Sequence, residues 1–218
     1  MDDDDAWKEY PQHRWIFNKL EIALKFGHDA GPACIPITKS GDYIIRPIYN
    51  LYGMGLGAKI IHIDISQAKE MEEHALVPPG HFWCETFKGT HKSVDFERSA
   101  GYWKPFCTIV GESNKENLVR FKSWTKTWNR EFILPNWMNE LEGVKNLNIE
   151  MIGDKVIEVH LRTGNDIFHD KPIGYTLYPV WESDGVEPDF PNEHPERYDA
   201  SGYLSDIRVG YSLTKPSK

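Results

Sequence analysis

Cysteine is scarce in this chain. Cys34, Cys84 and Cys107 form an odd, widely spaced set of three among 218 residues. They make neither a CxxC metal site nor a disulfide framework, and read as buried, reduced thiols of a cytoplasmic protein. No apolar run approaches the roughly 18–20 residues of a spanning helix, so no membrane partner is expected. Residues 2–5 are all Asp, unlike the basic and then apolar start of a secretory signal, and read as a solvated tail. Basic blocks are short, and 25 Lys and Arg face 33 Asp and Glu for a formal net charge of −8. That balance disfavours nucleic acid as a partner, because its binders rely on clustered cations. HExxH, GxSxG, the GxxxxGK[ST] phosphate loop and the Rossmann glycine fingerprint are all absent, and no internal repeat is visible.

What is present supports a packed core. Hydrophobic residues make up 40% of the chain and aromatics 13%, with eight Trp. Disorder is excluded for most of the length, and one domain or two tightly joined lobes would fit the size.

Apolar spacing predicts a helix over 13–27, stopped at Gly27. Strand patterns follow at 42–48 and 59–65 around a glycine loop at 50–58, then a short helix at 66–74. Residues 81–87, 91–97 and 102–110 read as an antiparallel meander turning at Lys88-Gly89 and near Gly101. A second helix is expected over 114–132, with Leu118, Phe121, Thr125 and Trp128 on its core face and Pro135 beyond its end. Residues 147–152 and 155–161 form a hairpin over Gly153-Asp154. Strand-like pieces recur at 175–181 and 203–213. The mixture of helices and antiparallel pieces indicates an α+β fold.

The hairpin carries the most chemistry. Strand side chains alternate, so Glu158, His160 and Arg162 share one face, with Glu150 able to lie across from them. Two carboxylates repel unless a cation joins them, and such an oxygen-rich site suits Mg²⁺ carrying nucleotide phosphates. The same alternation also describes an ordinary solvent-facing strand side. In the loop, Gly53, Gly55 and Gly57 permit positive φ and close approach to phosphates, as they would in a simple hairpin turn. Lys19 and Arg46 precede that loop and could act as charge-assisted phosphate donors, though each alone reads as a surface charge. Glu85, His91 and Asp95 flank the Lys88-Gly89 turn. Trp124 and Trp128 read as helix packing rather than a base-stacking platform.

Taken in chain order, these signals resemble the ATP-grasp superfamily. The matching pieces are Asn18-Lys19, Ile45-Arg46-Pro47, the loop 50–58, the 85–95 segment, Glu150 and Glu158-Val-His-Leu-Arg162, so the resemblance covers residues 13–165. Its compact form is similar to small bacteriophage proteins of that kind. The resemblance implies a two-lobed fold in which antiparallel sheets flanked by helices clasp ATP. The lobes would be 13–80 and 81–165, after an acidic flexible N-terminus (1–12) and before a C-terminal extension (166–218) packed on the same domain. It implies that Lys19 and Arg46 contact ATP phosphates, and that Gly53, Gly55 and Gly57 belong to the loop covering them. Glu85 would lie near the hinge, facing adenine or ribose. Glu150 and Glu158 would bind Mg²⁺ or Mn²⁺, with His160 where the family usually has Asn. Arg162 would sit near the transferred phosphate or an acceptor carboxylate.

The implied activity is an ATP- and Mg²⁺-dependent ligase that joins a carboxylate, small or macromolecular, to an amine through an acylphosphate. Such chemistry needs no protein nucleophile and works by positioning and charge neutralisation. Three departures stand out. Arg46 replaces a lysine. His160 favours softer metals than Mg²⁺. Only 18 residues precede Lys19, so the acceptor site is expected from 163–218, from another copy in a homo-oligomer, or from a macromolecular substrate. A nucleotide-binding or accessory protein without turnover is the alternative, and an interaction protein without a nucleotide site is a third. The third requires Glu150 and Glu158 to face bulk solvent, far from Lys19 and Arg46.

Overall fold

A computed structural model describes residues 1–51, 57–66, 77–114, 117–128, 132–192 and 206–216. Gly53, Gly55, the expected helix 66–74 beyond Ser66, and the start of the expected strand 203–213 lie outside the described residues. The architecture is α+β, with antiparallel sheets and short helices. A small sheet contains β1 (Ala30–Pro32), β2 (Gly41–Pro47), β3 (Lys59–Ile63) and β4 (His81–Glu85), in the spatial order β1-β4-β2-β3. A large sheet contains β5 (His91–Ser99), β6 (Tyr102–Asn114), β7 (Asn117–Thr127), β8 (Asn146–Ile152), β9 (Lys155–His160), β10 (Thr176–Trp181), β11 (Phe190–Pro191) and β12 (Arg208–Ser212). Its order is β11-β12-β10-β7-β6-β5-β8-β9, so β9 is an edge strand. The strands after residue 165 extend the opposite side of this sheet through the β10–β7 pairing. Among the described residues no helix is long and apolar enough to cross a membrane.

Several elements differ from the sequence expectation. Residues 13–27 are not one helix: a 3-10 turn spans Pro11–Phe17 and helix α2 spans Lys19–Lys25. Asn18 separates them because it is extended (φ −80°, ψ 96°) and its side chain accepts from the Glu21 amide, which caps α2. Among its described residues the expected 114–132 helix is strand instead: Asn114 ends β6 and Asn117–Thr127 form β7, while 115–116 and 129–131 lie outside the described residues. Phe121, Trp124, Thr125 and Thr127 favour a pleated surface. Gly111 lies opposite Trp124 and leaves room for the Phe121 and Trp124 rings, which a Cβ there would meet at 2.7 and 2.8 Å. Trp128 is exposed rather than packed.

The expected meander is also divided. β5 pairs with β6, but β4 pairs with β1 and β2 in the other sheet. The break between sheets therefore follows Glu85. The connecting segment crosses the β8–β9 turn at Gly89, whose φ is +136° and whose added Cβ would meet the Gly153 backbone at 2.7 Å. Only glycine suits that crossing. Residues 3–9 are likewise not a solvated tail. Helix α1 (Asp3–Glu9) is capped by Asp2 and Asp5, and it buries Ala6, with Tyr10 following, in the main core. Cys84 and Cys107 are buried, and burial pushes their thiols up to about 12 and about 11. Cys34 is exposed, contrary to expectation.

The main core joins α1, the 11–17 turn and α2 to one face of β5, β8 and β9 through Ile16, Phe17, Ile22, Val94, Phe96, Leu147, Ile149, Val156 and Val159. A β-bulge sets the phase of β9. Glu150 pairs with Glu158 and Met151 with Val156, which leaves Ile157 without a cross-strand partner. The extra residue shifts the alternation, so Val156 joins Val159 and Leu161 in the core while Glu158 and His160 share the other face.

Candidate nucleotide and metal site

Three separate elements converge on Glu158 of edge strand β9. Lys19, the first residue of α2, brings Nζ within 2.7 Å of Glu158 Oε1. Arg46, in β2 of the small sheet, donates from Nη1 to the same oxygen at 3.1 Å and from Nη2 to the Ile157 carbonyl at 2.7 Å. The bulge thus supplies a carbonyl to the small sheet, and His28, between α2 and β1, places Nε2 2.7 Å from the neighbouring Val156 O. Lys19, Arg46 and Glu158 are all buried. Charges held away from water in this way persist only when paired, which the trio achieves with two cations on one carboxylate.

His160 and Arg162 continue the row. Arg162 grips Asp3 as a fork, with Nε to Oδ1 at 2.7 Å and Nη2 to Oδ2 at 3.0 Å. His160 Nδ1 lies 2.9 Å from Asp3 Oδ2, and its Nε2 lies 3.6 Å from Glu158 Oε2. Burial would raise the Asp3 carboxyl, but the charges and hydrogen bonds of His160 and Arg162 outweigh it and hold Asp3 well below the usual carboxylate range. Burial in turn disfavours the His160 cation, and the Asp3 charge and hydrogen bond reverse that, raising its pKa. Glu150 faces Glu158 across the β8–β9 ladder and bonds His91 Nε2 at 3.2 Å. Burial pushes Glu150 up, yet His91, then the charges of His160 and Lys19, bring it down to about 2. A pocket opens here, lined by Asp3, Lys19, Asn50, Glu158 and His160 with an apolar wall of Ile16 and Phe17.

Lys19, Arg46, Glu158, His160 and Arg162 are therefore one connected cluster, with Glu150 across the ladder. Glu158 is buried against both cations, whereas the interaction-protein reading placed it in bulk solvent far from them; Glu150 is half-buried across the ladder. Glu85 is engaged elsewhere: it ends β4 at the passage between the sheets and accepts from the Asp29 amide at 3.0 Å. Gly57 is exposed at φ +73°, beside Pro47 and the end of the glycine loop. Sequence reasoning missed Asp3, and it placed His91 only beside the Lys88-Gly89 turn, without its contact to Glu150. Ala6 and Tyr10 at helical spacing behind a D-x-x-D cap were the available signal for α1, but nothing local marks the second of four consecutive aspartates as the buried one.

A divalent cation fits this donor set. His160 Nε2 is buried without a hydrogen-bond partner, and it faces the Glu158 oxygen that Lys19 and Arg46 do not bind. A second polar cluster has a structural role. Asp95, Cys107 and His169 bring donor atoms within 4.8 Å of one another. The Asp95 carboxylate, however, already accepts from Asn148, Gly164, Asn165 and His169, which fastens the 164–169 segment over the sheet.

No protein-family model matches the chain. A probable nicotinate-nucleotide adenylyltransferase from Buchnera aphidicola is 28% identical over 97 residues, 44% of this chain and 40% of that enzyme. This chain thus matches less than half the length of that relative. Among solved structures, N5-carboxyaminoimidazole synthetase from Staphylococcus aureus, complexed with ADP, is 13% identical with a TM-score of 0.51, covering 93% of this chain and 69% of that one. An ATP-grasp superfamily protein from Archaeoglobus fulgidus is 14% identical with a TM-score of 0.45, covering 91% and 64% respectively. The likeness to the staphylococcal synthetase is one of fold, and this chain likewise has antiparallel sheets and short helices. The chain has the ATP-grasp fold.

Proposed function

We propose that the protein is an ATP-dependent ligase that activates a carboxylate. The observation that carries this reading is the meeting of Lys19 from a helix and Arg46 from the small sheet on Glu158 at the large-sheet edge, beside a pocket lined by Lys19, Glu158 and His160. Lys19 and Arg46 would turn from Glu158 to the phosphates of ATP, Lys19 as a point charge and Arg46 as a fork. Glu158 and His160, with Glu150 across the ladder, would hold Mg²⁺ or Mn²⁺. The cation, when bound, neutralises charge on the phosphates. Gly53, Gly55 and Gly57 would close over those phosphates, and Glu85 would face the nucleoside from the passage between the sheets.

Arg162 would bind the substrate carboxylate or the phosphoryl group in transfer. The carboxylate oxygen attacks the γ-phosphorus and ADP leaves. An amine then displaces phosphate from the acylphosphate. The side chains contribute position and charge, and none forms a covalent bond.

Calorimetry of ATP with Mg²⁺ on wild type and Glu158→Gln tests the site. Micromolar binding that weakens at least tenfold in the variant supports it. Release of ADP from ATP in the presence of pooled carboxylates and amines tests turnover. A second reading, nucleotide binding without turnover, draws on the Asp3 carboxylate already seated on Arg162. It expects ATP binding with no ADP formed in any pool.

A further inference from the structure

Asp3 is an integral part of the site rather than a loose end lying on it. Its residue is 3% exposed, and α1 is anchored behind it by Ala6 at 0% and Tyr10 at 8%. Trp7 packs its ring 5.6 Å from Phe17 and 6.1 Å from Tyr49, and its carbonyl accepts from Arg14 Nε at 2.8 Å. The Arg162 fork fixes both Asp3 oxygens. An ionised carboxylate only accepts hydrogen bonds, so the contact to His160 at 2.9 Å makes Nδ1 the donor. That assignment directs Nε2 into the pocket. There it is buried without a hydrogen-bond partner, 3.6 Å from Glu158 Oε2. This separation is too long for a hydrogen bond and lies within the ~4.2 Å that two metal–ligand bonds of about 2.1 Å can span.

We propose that Asp3 is a positioning residue that makes His160 a nitrogen ligand, so that this pocket prefers a first-row transition metal to Mg²⁺. A carboxylate behind a histidine fixes the ring's orientation and raises the basicity of the ligating nitrogen. Mg²⁺ takes oxygen ligands and gains little from imidazole, whereas affinity for nitrogen donors rises from Mn²⁺ to Co²⁺. Glu158 Oε2 and His160 Nε2 would both ligate the metal, with Glu150 across the ladder. Lys19 and Arg46 hold the other Glu158 oxygen and keep that carboxylate in place. The inference rests on the metal-site reading above for its location, and it changes which metal that site takes.

The test is titration of the metal-free protein with Mn²⁺, with and without ADP, followed by electron paramagnetic resonance. Wild type should bind Mn²⁺ with nitrogen modulation in the pulsed spectrum, and Mg²⁺ should displace it only at tenfold or higher excess. His160→Asn should abolish the nitrogen signal and bring the two affinities together. Asp3→Asn should weaken Mn²⁺ by about 10–100-fold and Mg²⁺ by less, which narrows the gap between the two metals. If Asp3→Asn does not fold, the wild-type and His160→Asn spectra still decide the matter. No bound Mn²⁺, Mn²⁺ bound without nitrogen modulation, or a signal that survives His160→Asn would overturn the proposal. Calorimetry with ATP and Mg²⁺ separates the two readings. Binding there without the nitrogen signal sinks this inference alone, and no binding in either experiment sinks both.

Discussion

Arg46 and Glu158 join the two sheets of this protein across a buried ion pair of 3.1 Å, with the second guanidinium nitrogen on the neighbouring Ile157 carbonyl. The same carboxylate also holds Lys19, so one side chain pairs with two cations contributed by different elements.

Glu158→Ala should therefore destabilise the fold by about 3–5 kcal/mol, the cost of leaving buried charges unpaired. Glu158→Gln keeps an acceptor and should cost less. Urea unfolding of both variants is the check. A loss below about 1 kcal/mol for Glu158→Ala would mean that Lys19 and Arg46 rehydrate easily.

Arg46→Lys should preserve the charge but lose the bond to Ile157 O. The expected loss is about 1.5–3 kcal/mol of stability, typical of a hydrogen bond from a charged donor. ATP affinity should fall less than tenfold, whereas Arg46→Met should lose both. Equal loss of ATP affinity in the two variants would show that phosphate recognition needs the guanidinium fork.

The Asp3–His160 pair gives a pH dependence of stability with a defined sign. Asp3 is held below its ordinary value of 3.8, so its contribution is present above that pH and fades as pH falls toward the folded value. His160 is raised above its ordinary 6.5, so its contribution is full below that pH and fades as pH rises through the folded value. Both operate together between 3.8 and 6.5. In metal-free buffer the gap in melting temperature between wild type and Asp3→Asn should be largest in that window, with ~2–4 °C for each kcal/mol. A gap that does not vary with pH would show that Asp3 acts only through packing.

Gly57→Ala should destabilise the β2–β3 hairpin. Gly57 has φ +73°, and an added Cβ would lie 3.1 Å from Pro47 Cγ. The left-handed conformation alone costs about 1–2 kcal/mol for an L-residue. Denaturant unfolding measures it, and an unchanged midpoint would mean that the turn relaxes to another conformation.

The part of the cluster that lies in the β8–β9 hairpin was legible because it is local. Gly153-Asp154 marks the turn, and strand alternation places Glu158, His160 and Arg162 on one face from spacing alone. The chain order of Lys19, Arg46, Glu150 and Glu158 carried the fold family. These are local properties that neighbouring residues determine for themselves. Alternation lets Glu150 lie across from this face, but its pairing with Glu158 itself depends on the bulge at Ile157, which also keeps Val156 in the core and which no local signal marks.

Three matters were decided only by tertiary structure. Residues 114–127 have apolar residues at spacings that suit a helix, and the long antiparallel pairing with β6 overrides that preference. β4 and β5 are similar strands a few residues apart, yet they belong to different sheets because their partners β2 and β8 are distant in sequence. Asp3 is one of four identical neighbours. Its role depends on His160 and Arg162, more than 150 residues away. Turn chemistry and alternation are written in adjacent residues, whereas sheet membership and the burial of a charge depend on partners that only folding brings together.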